Sequence, residues 1–338
     1  MIALGLVLAA QIVTHLPAPD SYADILSEYQ SGNQTLALQQ LARLDSEALD
    51  AGFEALVTTL SPALGQAAAA MHTEAALRSP VPITPSAAAH HLDLATRLVE
   101  KGQPVKGKLA RPLPNSSLWP VTAEFRRLWY ITVITTLEGG GQLAPAMKYA
   151  AQARELYRDD ADVLLLSGIA EEMRASPRTE GVQEGERRKS LERAEQFLRA
   201  AVKANPERLE AQLRLGRVLF LRHDARARDV LLQVANAPDP RLRYLSALFL
   251  GAVYDAQQDA VSAQTWYAKA VAEMPRGQAA VLAASESRYR TGDVEGAASI
   301  LAGAVRDPNA ADPWWTYVFG DYWRARILLD AVRKGRQR

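Results

Sequence analysis

Three of the five histidines, His72, His90 and His91, fall within one window of twenty residues. Histidine nitrogens bind zinc when two or three of them converge on one point, often with a carboxylate. Glu74 and Asp93 lie nearby, but the spacing matches neither the HExxH motif nor two histidines one helical turn apart. Adjacent helical residues point in different directions, so His90 and His91 cannot readily bind the same ion. The window therefore predicts solvated or hydrogen-bonded helix histidines rather than a metal site.

Other catalytic signatures are also missing. A phosphate-binding loop would follow a strand and continue as Gly-Lys-Ser or Gly-Lys-Thr, whereas the glycines at 139–141 are typical of a turn between two helices. The chain has no cysteine, which excludes disulfides, thiolate metal sites and cysteine nucleophiles. No serine-nucleophile motif occurs. We therefore expect a protein that is not an enzyme and uses no cofactor or metal; the alternative is an enzyme, or an enzyme accessory subunit, with a site in residues 50–120.

Arginine is concentrated between residues 208 and 243. Counted from Glu207 to Arg243, eight arginines stand against five acidic residues, a local excess of three positive charges. The whole chain has 39 Lys and Arg against 38 Asp and Glu, and this balance argues against nucleic acid as a partner. The stretch favours a solvated, partly paired helix face, with polyanion binding as the alternative.

A dense aromatic group lies near the carboxyl terminus. Its members are Trp314, Trp315, Tyr317, Phe319, Tyr322 and Trp323. Aromatic rings can stack on a ligand, but they also close the open hydrophobic end of an elongated fold. We expect residues 309–338 to form an aromatic capping helix followed by a basic tail.

The elements that carry these residues are predicted to be helices almost throughout. Apolar side chains recur three and four positions apart in stretches rich in Ala, Leu, Arg, Glu and Gln, and Gly, Asn or Pro interrupts them every 12 to 20 residues. The β-branched run at 129–136 continues a helical pattern, so we expect a buried helix there.

A longer period is visible in the second half of the chain. Identical residues recur 34 positions apart at three pairs of sites: Ala263 and Ala297, Ala270 and Ala304, and Asp259 and Asp293. Small residues at such positions let two antiparallel helices approach closely, while tyrosines fill the space between neighbouring pairs. The period indicates repeated helix pairs.

In the segment 244–275 the pattern resembles the signature of the tetratricopeptide-repeat (TPR) family. The matching residues are Leu250, Gly251, Tyr254, Ala263, Tyr267, Ala270 and Pro275. The resemblance implies an all-α fold, a right-handed α-solenoid of stacked antiparallel helix pairs. About five pairs would cover residues 121–308, with an insertion at 176–189.

In this family the first helix of each pair lines a concave groove that binds a peptide or a helix of a partner protein. The groove positions carried over to this chain are Ile131, Leu165, Ile169, Leu213, Arg217, Phe220, Leu248, Asp255, Leu282, Glu286 and Tyr289. The resemblance thus implies a non-enzymatic protein–protein interaction scaffold whose partner is another protein or peptide. An alternative is that helices within 20–100 fill the groove themselves.

The amino-terminal third lacks the signature. Residues 1–19 form a short apolar, signal-peptide-like segment, too short to span a bilayer, which favours an exported, periplasmic protein with no membrane span in the mature chain. The alternative is a buried first helix in a cytoplasmic protein. The excess of Arg over Lys and the abundant Ala indicate a bacterial source. Residues 20–100 are predicted as divergent helices, and 101–120 as an irregular connector rich in Pro and Gly.

Overall fold

The computed structural model describes residues 21–58, 62–99, 123–304, 312–320 and 322–333. Within these ranges every regular element is a helix and none is a strand, which confirms the predicted all-α class. The predicted leader at 1–19 and connector at 101–120 lie outside the described residues. None of the described helices has the length and apolarity needed to cross a membrane.

The chain divides into two compact units. Unit 1 comprises Met1–Thr132 and Arg326–Arg338, and unit 2 comprises Val133–Ala325. The described helices of unit 1 are α1 (Tyr22–Ser31), α2 (Gln34–Leu41), α3 (Ser46–Val57), α4 (Pro62–Arg78) and α5 (Pro85–Val99). One boundary between the units falls within α6 (Ala123–Gly139) and the other within α17 (Tyr322–Arg333).

Local chemistry sets the ends of the unit 1 helices. The side chains of Ser21 and Asp45 accept backbone hydrogen bonds from the first turns of α1 and α3 and so act as N-caps. Gly32, with φ of 101°, ends α1 in the left-handed conformation that favours glycine. Between these ends α1 packs on α2, α3 and α4, and α4 packs on α5. Phe53 and Met71 lie fully buried in this core.

Unit 2 is built from consecutive helix pairs. After α6 come α7 (Leu143–Leu156), α8 (Ala161–Ala175), α9 (Glu184–Ala204), α10 (Leu209–Leu221), α11 (Ala227–Val234), α12 (Pro240–Ala256), α13 (Ala260–Glu273), α14 (Gln278–Arg290), α15 (Val294–Ala304) and α16 (Pro313–Phe319). Helix α8 packs on α9, α10 on α11, α12 on α13 and α14 on α15. Each second helix also contacts the first helix of the next pair. This succession confirms the predicted α-solenoid.

The first helices of these pairs also contact one another. Helix α8 touches α10, α10 touches α12, and α12 touches α14. Together they form a continuous surface, here called the inner wall. Because α10 and α12 each meet two other first helices, a side chain on this wall can act together with side chains more than thirty residues away.

Glycines allow the two helices of a pair to approach closely. A Cβ atom on Gly251 would lie 2.4 Å from ring carbons of Tyr267, and one on Gly216 would lie 2.6 Å from Cγ of Leu231. Both contacts are closer than real Cβ atoms tolerate, so these positions accept only glycine unless the partner side chain moves. The small residues of the repeat pattern therefore have a steric cause.

The turns within the first two pairs differ in length. Gly139 ends α6, and Gly141, with φ of 70°, belongs to a tight turn before α7. The stretch predicted as an insertion, 176–189, forms a loop over 176–183, and its last six residues lengthen α9 instead.

Candidate functional site

A short segment of the chain itself lies on the inner wall. We call residues 312–320, which comprise α16 and its flanking residues, the docked segment. The segment packs on α12, and its side chains reach α8, α10 and α14. Three of its residues, Asp312, Trp314 and Tyr317, make the contacts that attach it.

Asp312 connects two helix N-termini. Its Oδ1 accepts a hydrogen bond from the backbone N–H of Trp314 (2.8 Å), and its Oδ2 accepts one from Ala279 in the first turn of α14 (2.7 Å). Both termini carry a partial positive charge that favours a carboxylate. Asp312 is buried, and it raises the pKa of the hydrogen-bonded Tyr244 hydroxyl, although burial of that hydroxyl is the larger cause. A single carboxylate thus ties the start of the docked segment to the wall.

Trp314 joins an aromatic cluster. Its ring stacks on Tyr317 with centroids 6.0 Å apart and meets the edge of Phe249 on α12 at the same distance. The guanidinium of Arg217 on α10 lies 4.9 Å from the Phe249 ring and 5.4 Å from the Trp314 ring. Such cation–π contacts are strongest where water is excluded. Sequence reasoning placed Arg217 in the groove, and the structure gives it an aromatic partner.

Tyr317 makes the deepest contact. Its hydroxyl donates to Oε1 of Glu172 on α8, and its ring lies 4.2 Å from the guanidinium carbon of Arg214 on α10. Arg214 in turn donates to the other oxygen of Glu172 at 3.1 Å. Burial, followed by the charge of Glu172, raises the pKa of Tyr317 well above its usual range. The phenol therefore remains a neutral hydrogen-bond donor.

An ionic network extends from Arg214. Its Nε donates to Glu210, and the second oxygen of Glu210 accepts from Arg324 at 3.2 Å. Burial works to raise the pKa of Glu210, but the positive charges of Arg214 and Arg324 outweigh it, so the pKa is lowered. The Glu210 carboxylate therefore stays ionised.

Glu138 lies near this network but has a different protonation state. Its side chain is buried, and its Oε1 has no hydrogen-bond partner among the described residues. Burial raises the pKa of Glu138 to about 8, despite the opposing charges of Arg214 and Arg324. At neutral pH this carboxyl is therefore mostly protonated.

The end of the docked segment requires glycine. Gly320 has φ of 88°, and a Cβ there would lie 2.7 Å from Cα of Gly139 and 2.8 Å from its nitrogen. The close approach is between two backbones, which cannot move apart as a side chain can. The end of the docked segment therefore lies directly against the end of α6.

The aromatic residues were expected to cap the open end of the array. The described contacts of the docked segment are instead with the inner wall and with the 176–183 loop, where Arg178 lies 6.0 Å from the Trp315 ring. The wall offers a buried ion pair, Glu172–Arg214, as a partner for Tyr317, whereas the described ion pairs Arg288–Asp293 and Arg290–Glu286 of the last helix pair are exposed. Residues 309–311 and 334–338 lie outside the described residues.

The predicted groove residues fall into two groups. Ile131, Leu165, Ile169, Leu213 and Leu248 are buried, whereas Leu282, Glu286 and Tyr289 on α14 are exposed. Phe220 is half-buried beside Arg217, and Asp255 accepts hydrogen bonds from Tyr267 and Arg290. Their role in partner binding stays a prediction.

Sequence reasoning missed Glu172, Arg214 and Asp312. Glu172 follows Ile169 by three positions, so it continues the groove-facing row of α8. An acidic residue in an otherwise apolar helical row was the available signal for a buried polar site. Asp312 before Pro313 is a recognisable helix start, but its contact with α14 has no local signature.

His72 and His91 lie together in the core of unit 1, whereas His90 is half-buried and its Nε2 lies 2.9 Å from Oδ1 of Asp50. The Tyr22 hydroxyl is 2.6 Å from Nε2 of His72, and the Nδ1 atoms of His72 and His91 are 3.0 Å apart. Burial is the main cause that lowers the pKa of both histidines, that of His91 to about 4, so both rings are neutral. The prediction of solvated or hydrogen-bonded histidines is therefore met by hydrogen bonding for these two residues, which are buried rather than solvated. In the described ranges no three potential metal-ligating side chains form a group that could hold an ion.

All eight arginines of the 208–243 stretch are engaged. Seven face carboxylates: Arg208 faces Asp162, Arg214 faces Glu172, Arg222 faces Glu195, Arg226 faces Asp224, Arg228 faces Asp229, Arg241 faces Asp239 and Arg243 faces Glu273. Arg217 lies against aromatic rings. Pairing of this kind cancels the local positive field that a polyanion would need, so the stretch favours a partly paired helix face.

The inner wall and its helix pairs define the class of this protein as an all-α solenoid with a TPR-like fold. Its structure is similar to solved structures of MamA. "Crystal structure of MamA protein" is 17% identical, covering 54% of this chain and 92% of that chain with a TM-score of 0.42. "MamA 41-end from Desulfovibrio magneticus RS-1" is 21% identical, covering 56% and 99%, with a TM-score of 0.43. No family model matches the chain, and no curated protein matches it.

Proposed function

We propose that this chain is a non-enzymatic protein–protein interaction scaffold that binds a helical segment of another polypeptide on its inner wall. The observation that carries the proposal is the docked segment, a two-turn helix bound there through side chains. A wall that accommodates one aromatic helix has the shape and polarity to accommodate another.

Part of the wall is also open beyond the docked segment. Leu282 is 59% exposed and Tyr289 is 64% exposed, and the two residues lie on one face of α14 together with Glu286. Large apolar side chains exposed in a row are typical of interaction sites. We infer that the partner also contacts this face.

Site-specific photocrosslinking tests the proposal. A photoreactive phenylalanine analogue at position 289 is expected to crosslink a defined partner protein in the native cells, and Leu282→Asp should abolish the product. The matched control carries the analogue at Val261, which is 79% exposed but lies on α13, a second helix. Equal labelling from positions 289 and 261, or labelling insensitive to Leu282→Asp, would contradict the proposal.

A further inference from the structure

We propose that the docked segment is an intramolecular ligand, and that the partner competes for its site with a helix of the same chemistry: a helix-capping acid, an aromatic residue two positions later and a tyrosine five positions later. This inference rests on the proposed function and specifies its partner.

The docked segment has the properties of a bound peptide. It forms a helix of seven residues, and a helix of this length is unstable in water by itself, so its structure depends on the wall. It contacts the wall on one face only, since Thr316 is exposed and Trp315 is 42% exposed. A ligand attached along one face can be replaced without disassembly of the helix pairs beneath it.

The site is polar at its centre, and this favours exchange. Tyr317 contacts the buried ion pair of Glu172 and Arg214. The free energy lost when charged groups are removed from water offsets much of the free energy gained from their attraction. Glu172 and Arg214 also hold each other, so both remain paired when the tyrosine leaves. The empty wall therefore does not contain an isolated buried charge.

The contacts of the docked segment also specify what would replace it. A carboxylate is required between the N–H of Ala279 and the Tyr244 hydroxyl. An aromatic ring is required between Phe249 and Arg217. A neutral hydroxyl on a flat ring is required where Tyr317 meets Glu172, because a carboxylate there would face a like charge.

A synthetic peptide of residues 311–320 (ADPWWTYVFG), labelled with a fluorophore, is the probe. We expect it to bind the full-length Tyr317→Ala variant at least roughly tenfold more tightly than wild type, the factor that corresponds to about 1.4 kcal/mol of docking free energy. Thr316→Ala is the matched control, because it changes an exposed residue of the same helix, and it should bind like wild type. A peptide with asparagine for Asp312 and phenylalanine for Tyr317 should bind more weakly to every variant.

Hydrogen exchange on the wild-type chain provides a second readout that does not depend on the folding of a variant. Excess peptide should accelerate amide exchange in residues 312–320, whereas α10 and α12 should stay as protected as before because the peptide takes the place of the segment. A segment with only a structural role would not respond. No binding to any folded variant, together with no change in exchange, would overturn the inference.

Size-exclusion chromatography identifies the other possible occupant. If the wild-type chain dimerises with rising concentration and the Tyr317→Ala variant stays monomeric, a second copy of the chain supplies the segment. That result would overturn the inference of a distinct partner. Failure of the proposed function is distinguishable, because crosslinking from position 289 does not require displacement of the docked segment.

Discussion

The hydroxyl of Tyr317 donates a hydrogen bond to Oε1 of Glu172, although the two residues lie 145 positions apart in the chain. Arg214 completes the arrangement by contacting both, through its guanidinium over the ring and its hydrogen bond to the carboxylate. The three side chains connect α16, α8 and α10. The stability of the docked segment should therefore respond to changes at any of them.

Replacement of Tyr317 by phenylalanine removes only the hydroxyl. Because a hydrogen bond to a charged group contributes about 1.5–3 kcal/mol, we expect the free energy of unfolding to fall by an amount in this range. Urea unfolding followed by circular dichroism measures it. Tyr289→Phe, at an exposed position, is the control and should change nothing. An equal loss from both variants would indicate that the Glu172 contact has no special role.

Replacement of Glu138 by glutamine should stabilise the protein at neutral and alkaline pH. The pKa of Glu138 is raised to about 8 in the folded chain against 4.5 ordinarily, so the folded state binds more protons between these values. Wild-type stability should therefore fall as pH rises through this window, by an amount on the order of 2–4 kcal/mol. Urea unfolding at pH 5, 6.5 and 8 should give a flatter profile for Glu138→Gln, whereas Glu286→Gln, on the exposed face of α14, should keep the wild-type slope.

Acid should destabilise unit 1 through its histidines. The pKa of His91 is lowered to about 4 against 6.5 ordinarily, so the unfolded state binds more protons between these values. The contribution of neutral His91 is complete above pH 6.5 and is lost as pH falls toward 4, about 2–3 kcal/mol in all. His91→Gln should make melting temperature less dependent on pH in this window. His223→Asn, at an exposed position, should leave the dependence unchanged, and identical profiles for all three proteins would refute the assignment.

Replacement of Gly251 by alanine should separate α12 from α13. The new methyl group would overlap the Tyr267 ring, and overpacking of this kind costs about 1–3 kcal/mol. The control is Gly185→Ala near the start of α9, where a Cβ meets nothing within 4 Å. That change should stabilise by up to about 1 kcal/mol, because alanine is the better helix former. Thermal melting of both variants would compare the two effects.

The helix pairs were predictable because their determinants are local or periodic. Apolar spacing defines each helix, and small residues such as Gly251, Ala263 and Ala270 occupy positions where the two helices of a pair cross closely. The burial of His72 was not predictable in the same way. It follows the alanines 67–70 on α4, and a helix with small apolar side chains on every face gives no indication of which side is buried.

The sequence by itself determined the class of this protein, all-α with stacked helix pairs, since that outcome follows from side-chain spacing along the chain. Only the tertiary structure decided where the docked segment lies. The contacts of Tyr317 with Glu172 and of Asp312 with Ala279 join helices that no repeat relates. The energies of these contacts depend on burial and on hydrogen bonds between individual polar atoms, and neither produces a periodic pattern in the sequence.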